Sequence, residues 1–228
     1  IVDCMMNLSL LYWATEETGD SRFRQIADAH AQTCMRDFVR PDGSCNHIVI
    51  YDPDTGAVLE TPGGQGAFAG SSWSRGQAWG LYGFALAAKH TGNADYLDTA
   101  RRIAHYFIAN LREDGLTPSD FRRPLDEQGR DVIDNIAGAV AACGLLTLAE
   151  LVPEYDHALY ENAAQRLLHA LCDLCTDWSE ERLGILTKCT ASYNDDNAGR
   201  HENIQYGDYF LIEAIAKLRG TDPQLWSR

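Results

Sequence analysis

Residues 81–115 read LYGFALAAKHTGNADYLDTARRIAHYFIANLREDG. An apolar run with helical spacing ends at Thr91-Gly92, an amphipathic run follows, and Asp114-Gly115 closes the unit. Glycine after a helical run is a C-cap signal, and Asp-Gly is a turn signal. The segment therefore predicts a helical hairpin with a buried apolar helix and an outer helix that keeps one polar face in water.

The same pattern recurs on both sides of this segment. Residues 10–43 read LLYWATEETGDSRFRQIADAHAQTCMRDFVRPDG, and a looser copy at 144–175 reads GLLTLAELVPEYDHALYENAAQRLLHALCDLC. Apolar residues keep helical spacing almost throughout, and no alternating run is long enough for a sheet. We predict seven helices, over residues 3–17, 21–39, 74–91, 94–113, 134–152, 157–177 and 206–219.

Repeated pairs of an apolar and an amphipathic helix predict an all-α fold, an α/α toroid with an inner and an outer ring. An open α-solenoid would have shorter and more regular repeats. The last helix is of the inner type and has no outer partner, and seven helices cannot close a six-hairpin ring. With the abrupt start IVDCMMNLSLLYWA, this predicts that residues 1–228 form a single domain, the C-terminal part of an α/α barrel that lacks its N-terminal helices.

The composition excludes several classes of function. Of 228 residues, 19 are Lys or Arg and 33 are Asp or Glu, which gives a net charge of −14 and a pI near 4.8. Proteins that bind nucleic acid or anionic membrane surfaces use clustered Lys and Arg, so both roles are disfavoured. No run approaches the ~20 consecutive apolar residues of a membrane span.

Seven cysteines, an odd number without a regular framework, fit a reducing compartment, and we predict a cytoplasmic location. Cys172 and Cys175 form a CxxC inside a helical run. A zinc site would need a second ligand pair at short spacing, which is missing, so we interpret this pair as small apolar helix residues.

Asp3 begins the first apolar helix, next to Val2, Cys4, Met5 and Met6. Burying a carboxylate among apolar neighbours is costly without partners, and such a group can serve as a general acid. The alternative is an N-cap, in which the Asp side chain accepts backbone amide hydrogen bonds. Spacing alone favours the cap.

Residues 60–84 read ETPGGQGAFAGSSWSRGQAWGLYGF, a glycine-rich loop that leads into a helix carrying Trp73, Arg75, Gln77, Trp79 and Tyr82. Positions 75 and 79 share a helical face. Aromatic faces stack on sugar rings, and the arginine fork suits a carboxylate, so the cluster is typical of a site for an anionic sugar. The alternative is that both tryptophans are core anchors and the arginine is a surface charge.

Two loops add candidates. His47 lies in a loop, where a lone histidine is usually a surface or hydrogen-bonded residue. Tyr193 and His201 lie in a polar loop before the last helix. The sequence carries no phosphate-binding glycine loop, no HExxH motif and no evident Ser-His-Asp grouping.

At these residues the chain resembles the unsaturated glucuronyl hydrolases, glycoside hydrolase family 88. The matching pieces occur in family order: VDCMMNLSLLYWA (2–14), the His47 loop, GQGAFAGSSWSRGQAWGLYGF (64–84), DNIAGAVAACGLLTLAEL (134–151) and YGDYFLIEAI (206–215). The SRGQAWGLYGF piece is the most specific of them.

The resemblance implies an (α/α) six-hairpin barrel and an enzyme that needs no metal or cofactor. Such an enzyme removes the 4,5-unsaturated glucuronic acid that polysaccharide lyases leave at the non-reducing end of glycosaminoglycan-type oligosaccharides. The implied partner is thus a small-molecule substrate, and the implied reaction is hydration of the vinyl ether.

The resemblance also implies roles for individual residues. Asp3 stands at the position of the catalytic Asp, and the substrate-site positions are His47, Gln65, Arg75 and Trp79, with Tyr193 lining the pocket. The family has a second acidic residue upstream, and it usually carries a Trp near 118–121, where this sequence reads Pro-Ser-Asp-Phe.

Two alternatives stay open. One is glycoside hydrolase family 105, the unsaturated rhamnogalacturonyl hydrolases, which share the fold and similar chemistry. The other is a truncated, non-catalytic remnant that only binds sugar.

Overall fold

The computed structural model describes residues 1–123, 131–181, 183–194 and 199–226. Across these ranges the chain forms seven α-helices, a 3₁₀-helix at Val2–Asn7, and a two-stranded antiparallel ribbon of Ile50–Tyr51 (β1) and Val58–Glu60 (β2). The helices are Leu8–Thr18 (α1), Ser21–Asp37 (α2), Ser74–Thr91 (α3), Ala94–Ala109 (α4), Asn135–Leu151 (α5), Glu154–Leu174 (α6) and Gln205–Leu218 (α7). The predicted all-α class is confirmed.

The hairpin signals read from the sequence set the helix ends. α1 and α3 both end at a glycine in the left-handed region, Gly19 at φ 70° and Gly92 at φ 67°. Asp20 and Asn93 then begin α2 and α4, and each side chain accepts a hydrogen bond from the amide two residues later, at 3.0 and 2.9 Å. This pairing of a glycine stop with an N-cap produces the tight turn of each hairpin.

The helices pack as successive hairpins of an α/α toroid. α3 lies between α1 and α5, and α5 lies between α3 and α7, while α2, α4 and α6 each pack against the inner helix that precedes them. Every residue of α5 from Asn135 to Ala149 is buried. A Cβ on Gly144 of α5 would lie 3.0 Å from Leu81 of α3, so these two helices approach closely.

The expectation that the first apolar helix is buried on most sides is wrong for α1. Leu10 is 65% exposed and Trp13 is 43% exposed, because α1 meets its neighbours mainly through its other face. α7 also exposes an apolar face, where a groove of about 410 Å³ runs between Tyr209, Ile212 and Leu225. The inner helices at both edges of the row therefore differ from α3 and α5 in the middle.

Two chemical features of the chain bear on its environment. All seven cysteines are free thiols. Within the described ranges, no helix combines the length and the apolar character needed to cross a membrane.

Backbone hydrogen bonds gather the loops at the N-terminal ends of the inner helices. Ser74 of α3 donates its amide to Ser119 at 3.0 Å, and Asn135 of α5 donates to Lys188 at 3.3 Å. The loops that precede α3, α5 and α7 are therefore linked to one another at the same end of the inner helices. This is the end where the candidate site lies.

Candidate active site

Asp3 and His47 face each other at this end. The amide of Val2 donates to the His47 carbonyl at 3.0 Å, and the Asp3 Oδ2 lies 3.5 Å from the His47 Nε2. The side chains are 28% and 5% exposed, so of the two usual states of a loop histidine, surface or hydrogen-bonded, His47 is in the second. The N-cap interpretation of Asp3 is wrong: Ile1 is the N-cap of the 3₁₀-helix, and Asp3 lies inside that helix.

The loop that follows fixes the ring of His47. The Gln65 amide donates to Nδ1 at 3.1 Å, and the Gly63 carbonyl lies 3.3 Å from the same nitrogen. These two backbone contacts at Nδ1 fix the orientation of the ring, so that Nε2 faces Asp3. Gly64 permits the arrangement, since a Cβ there would lie 2.2 Å from Nδ1.

Arg75 is a buried cation and not the surface charge of the alternative interpretation. It is 1% exposed, its Nη1 lies 3.3 Å from the Asp134 Oδ2, and its Nη2 donates to the Ala191 carbonyl at 2.6 Å. The Cζ atom lies 4.8 Å from the Trp73 ring and 5.6 Å from the Tyr206 ring. Burial raises the pKa of Asp134, and the charge of Arg75 opposes that rise.

Partly exposed rings flank the buried arginine. The Trp79 ring lies 6.4 Å from Tyr206 and 5.2 Å from Phe210. Burial is the largest cause of the raised pKa of Tyr206, Arg75 opposes the rise, and the charge of Asp3 adds to it. Tyr206 therefore lies within electrostatic reach of both charged site residues. Sequence reasoning missed it, although it begins the YGDYF piece at the start of α7.

Gln65 and Tyr193 meet Arg75 at the loop of residues 191–193. The Gln65 side chain donates to the same Ala191 carbonyl at 2.5 Å, and the Tyr193 amide donates to the Gln65 carbonyl at 2.9 Å. Arg200 lies over the Tyr193 ring, with its Cζ 5.5 Å from the centroid. The structure therefore places all six sequence-predicted site residues at one end of the inner helices.

Three other candidates have structural partners. Gln77 bonds the backbone of residues 43–45 through both its amide atoms, at 2.8 and 2.6 Å. Tyr82 donates to Glu213 near the opposite half of α7. The Nε2 atom of His201 accepts a hydrogen bond from the amide of Ile133, in the loop before α5, at 3.0 Å. These side chains therefore have structural roles in the fold.

Two buried carboxylates that the sequence reasoning missed hold the site loops. Asp134 caps α5, and its side chain also accepts a hydrogen bond from the amide of Thr190, in the loop before α7, at 3.3 Å. Asp120 is fully buried and accepts the amides of Ala67 and Ser72, both at 3.0 Å, so it clamps the glycine-rich loop. The signal for Asp134 was its position directly before an apolar helix, while Asp120 stands in the segment that lacks the family's tryptophan.

Among the described residues, Cys4, His30 and Cys34 form the one group whose ligand atoms lie within metal-binding reach, all inside 4.8 Å of one another. The CxxC of Cys172 and Cys175 does not belong to it. A hydrogen bond from Cys34, aided by His30 and opposed by burial, lowers the pKa of Cys4 to about 5. None of these three residues belongs to the predicted substrate site.

No family model matches the chain. The unsaturated glucuronyl hydrolase of Bacillus sp. (strain GL1) is 39% identical over 222 residues, 96% of this chain and 58% of that protein. The crystal structure of the Bacillus sp. GL1 enzyme matches with a TM-score of 0.91 and 38% identity, covering 97% of this chain and 59% of that one.

This chain is similar to the unsaturated glucuronyl hydrolases over nearly its whole length. A second relative is an unsaturated chondroitin disaccharide hydrolase of Streptococcus pyogenes serotype M1, which is 31% identical over 95% of this chain and 54% of that protein. A mutant unsaturated glucuronyl hydrolase of Streptococcus agalactiae, complexed with dGlcA-GalNAc6S, matches with a TM-score of 0.83 at 31% identity, over 96% of this chain and 58% of that one. The chain thus spans between half and three-fifths of the length of these relatives. The family resemblance read from the residues is confirmed.

Proposed function

We propose that the protein is a glycosidase that releases 4,5-unsaturated glucuronic acid from the non-reducing end of lyase-generated glycosaminoglycan oligosaccharides. The observation that carries the proposal is the pair of the partly exposed Asp3 and the buried His47, 3.5 Å apart, beside aromatic rings and a buried arginine. The relatives support the substrate class. The Bacillus enzyme is described as responsible for the degradation of glycosaminoglycan, and the S. agalactiae enzyme holds dGlcA-GalNAc6S.

The reaction we propose is hydration of the vinyl ether of the unsaturated sugar. The protonated carboxyl of Asp3 gives its proton to C4, and positive charge develops at C5 and the ring oxygen. The resulting carboxylate takes a proton from water as the water oxygen bonds to C5. The C5–O5 bond of the hemiketal breaks as its hydroxyl proton moves to O5, which leaves a ketone at C5 and a hemiacetal at C1. The bond from C1 to the leaving oxygen then breaks, the hemiacetal hydroxyl gives its proton to that oxygen, and the remaining sugar departs as an alcohol. Proton transfers and one water molecule balance all these steps. The two-carboxylate rule for displacement at an anomeric carbon does not describe this route.

His47 and Arg75 act on these steps in different ways. The Nε2 atom of His47 lies 3.5 Å from the Asp3 Oδ2, so we infer that this ring orients the Asp3 carboxyl group during the proton transfers. Arg75 has almost no exposed surface, so we infer that it acts through its positive field on the substrate carboxylate and by positioning Trp73 and Tyr206. The sequence suggested that the guanidinium group of Arg75 binds the substrate carboxylate directly, but its burial gives this role no support.

The remaining predicted residues would hold the sugar. Trp79 and Tyr193 are partly exposed rings suited to stacking on a sugar face, and Gln65 is an amide at the same edge. The names of the relatives favour unsaturated glucuronyl substrates over the rhamnogalacturonyl alternative. Seven free thiols support the proposal of a cytoplasmic, reducing location.

The substrate proposal is tested by supplying the intact protein with an unsaturated chondroitin disaccharide and, separately, an unsaturated rhamnogalacturonan disaccharide. We expect the absorbance of the conjugated double bond to fall much faster with the chondroitin sugar. A preference for the rhamnogalacturonan sugar would support the family 105 alternative. Binding of either sugar without turnover would support the non-catalytic alternative.

The route is tested by running the reaction in a methanol–water mixture. Methanol competes with water for the carbon that is attacked. Hydration places the methoxyl group at C5, whereas displacement at the anomeric carbon places it at C1. Mass and NMR analysis of the products distinguishes the two, and a C1 methyl glycoside would contradict the proposed route.

A further inference from the structure

A cluster of soft ligands lies directly beside the proposed catalytic acid. Cys4 follows Asp3 in the 3₁₀-helix, and His30 and Cys34 lie one turn apart on α2. The Cys4 Sγ is 2.7 Å from the His30 Nε2, and both cysteine sulfurs and this nitrogen lie within 4.8 Å of one another. The proposed reaction does not use this cluster.

Its geometry is close to that of a metal site. Two thiolates and one imidazole are a ligand set that Zn²⁺ takes with one position open, at Zn–S of about 2.3 Å and Zn–N of about 2.0–2.1 Å. At tetrahedral angles these lengths place two sulfurs about 3.8 Å apart and a sulfur about 3.6 Å from the nitrogen. The present separations reach that arrangement with shifts of about 1 Å, which side-chain rotation supplies.

The surroundings also suit a metal ion. The spacing of His30 and Cys34 at i and i+4 places both ligands on one face of α2, so a rigid helix holds two of the three. Cys34 is buried, Cys4 is half-buried and His30 is exposed, which leaves an entry path and an open coordination position on the solvent side. Metal bound here would link the segment that carries Asp3 to α2.

We propose that Cys4, His30 and Cys34 bind one Zn²⁺ ion per chain. The site is distinct from the proposed catalytic groups, and its test does not depend on turnover. Its failure and a failure of the proposed function can therefore be distinguished.

The test uses the intact protein, reduced and stripped of metal, then titrated with zinc chloride or cobalt chloride. We expect one zinc per chain and, with cobalt, the intense charge-transfer absorption of thiolate ligands. Mutation of a residue that only hydrogen-bonds a metal ligand typically lowers the affinity for the metal by about 10–100-fold. Loss of a ligand itself should therefore cost about 100-fold or more, in Cys34→Ser and in His30→Asn. Cys172→Ser, a change of the same kind on α6, should bind zinc as the unchanged protein does.

Several results would overturn the proposal. One is zinc binding of equal strength in the His30→Asn variant, whose exposed side chain can be changed without disturbing the core. Others are a cobalt spectrum without thiolate bands, or a reduced protein that binds no zinc and instead forms a disulfide between Cys4 and Cys34 on oxidation. The last result would assign the cluster to a redox pair.

Discussion

The N-terminal ends of the inner helices and the middle of the same helices are built in opposite ways. At the ends lie buried polar atoms without a hydrogen-bond partner among the described residues: Asp3 Oδ2, His47 Nε2, Arg75 Nη1 and Asp134 Oδ2. In the middle, α3 and α5 meet through small and aliphatic residues, and Leu145 is fully buried.

The helix ends carry the groups for chemistry, and the middle of the helices carries the stability of the fold. Native proteins hydrogen-bond nearly all buried polar groups, so a concentration of buried polar atoms without hydrogen bonds marks a place where chemistry competes with stability. The apolar middle supplies the free energy that keeps these groups in position. Changes at the two regions should therefore affect stability and turnover in different proportions.

The largest loss of stability should come from breaking the buried ion pair at the site end. Arg75→Met leaves the buried Asp134 without its cation, which typically costs about 3–5 kcal/mol. Urea denaturation of the intact protein measures this loss. Arg101→Met removes a half-exposed partner of Asp156 and should cost at most about 1 kcal/mol. Equal losses in the two variants would show that the buried pair is not special.

In the middle region, stability should fall while catalysis is spared. Leu145→Ala removes a fully buried side chain of α5 and should cost about 2–5 kcal/mol in the free energy of unfolding. Turnover per folded molecule should stay the same, since Leu145 lies in the C-terminal half of α5, away from the helix end where the site loops meet. Leu159→Ala, at a position 48% exposed, is the control and should cost far less. A large fall in turnover from Leu145→Ala would break the division between the two regions.

Alanine substitutions at two glycines with similar positive φ values separate the effect of displacing His47 from the effect of backbone strain. Gly64 and Gly56 have φ values of 59° and 71°, so alanine at either position should cost about 1 kcal/mol. A Cβ at Gly64 would also meet the His47 ring at 2.2 Å, whereas a Cβ at Gly56 meets nothing within 4 Å. A misplacement of about 1 Å can cost up to about 100-fold in rate.

We therefore expect Gly64→Ala to lower kcat by about 10- to 100-fold and Gly56→Ala to leave it unchanged. Steady-state kinetics and thermal melts of both variants measure the two effects separately. Equal kcat values in the two variants would mean that the position of His47 does not matter for turnover.

The smallest effect concerns pH and lies at the far end of α7. Glu213 accepts hydrogen bonds from Tyr82 and Trp226, and burial raises its pKa above the ordinary value for Glu. A raised carboxyl pKa means that the folded state holds the proton more tightly than the unfolded state. This contribution to stability is complete below the unfolded pKa and is lost as the pH rises through the folded pKa.

The stability of the unchanged protein should therefore fall, relative to Glu213→Gln, as the pH is raised from about 4 towards neutrality. Denaturant unfolding at several pH values measures the difference. Glu150→Gln, at an exposed site of α5, is the control. A difference that grows in the opposite direction would contradict the assigned burial effect.

Local signals were enough to predict most of the fold. α3 begins and ends at the predicted residues, because helical periodicity and the Thr-Gly stop lie within one stretch of chain. The predicted helix 3–17 starts instead with a 3₁₀-helix, whose first amide bonds the His47 loop. The exposed Leu10 and Trp13 of α1 were missed because burial depends on which helices pack alongside, and the repeat pattern carries no such information.

In the candidate site, too, the sequence indicated individual residues but not the contacts between them. Asp3, His47 and Arg75 could be chosen from their residue types and from the family resemblance. The partnership of Arg75 with Asp134 joins residues 59 positions apart, from two different hairpins. No local pattern encodes such a pair. The same holds for Cys4 and His30, which are 26 positions apart and meet only when α2 packs against the first turn.

The central claim is that Asp3 supplies the proton for the reaction. Its most direct test is the initial rate at which the intact protein removes the absorbance of an unsaturated chondroitin disaccharide, compared between the unchanged protein and Asp3→Asn. General acid catalysis contributes about 10²–10⁴-fold, so we predict a loss of at least about 100-fold with an unchanged melting temperature. Asp98→Asn, on the exposed face of α4, should keep the full rate. Retained turnover in Asp3→Asn would contradict the account.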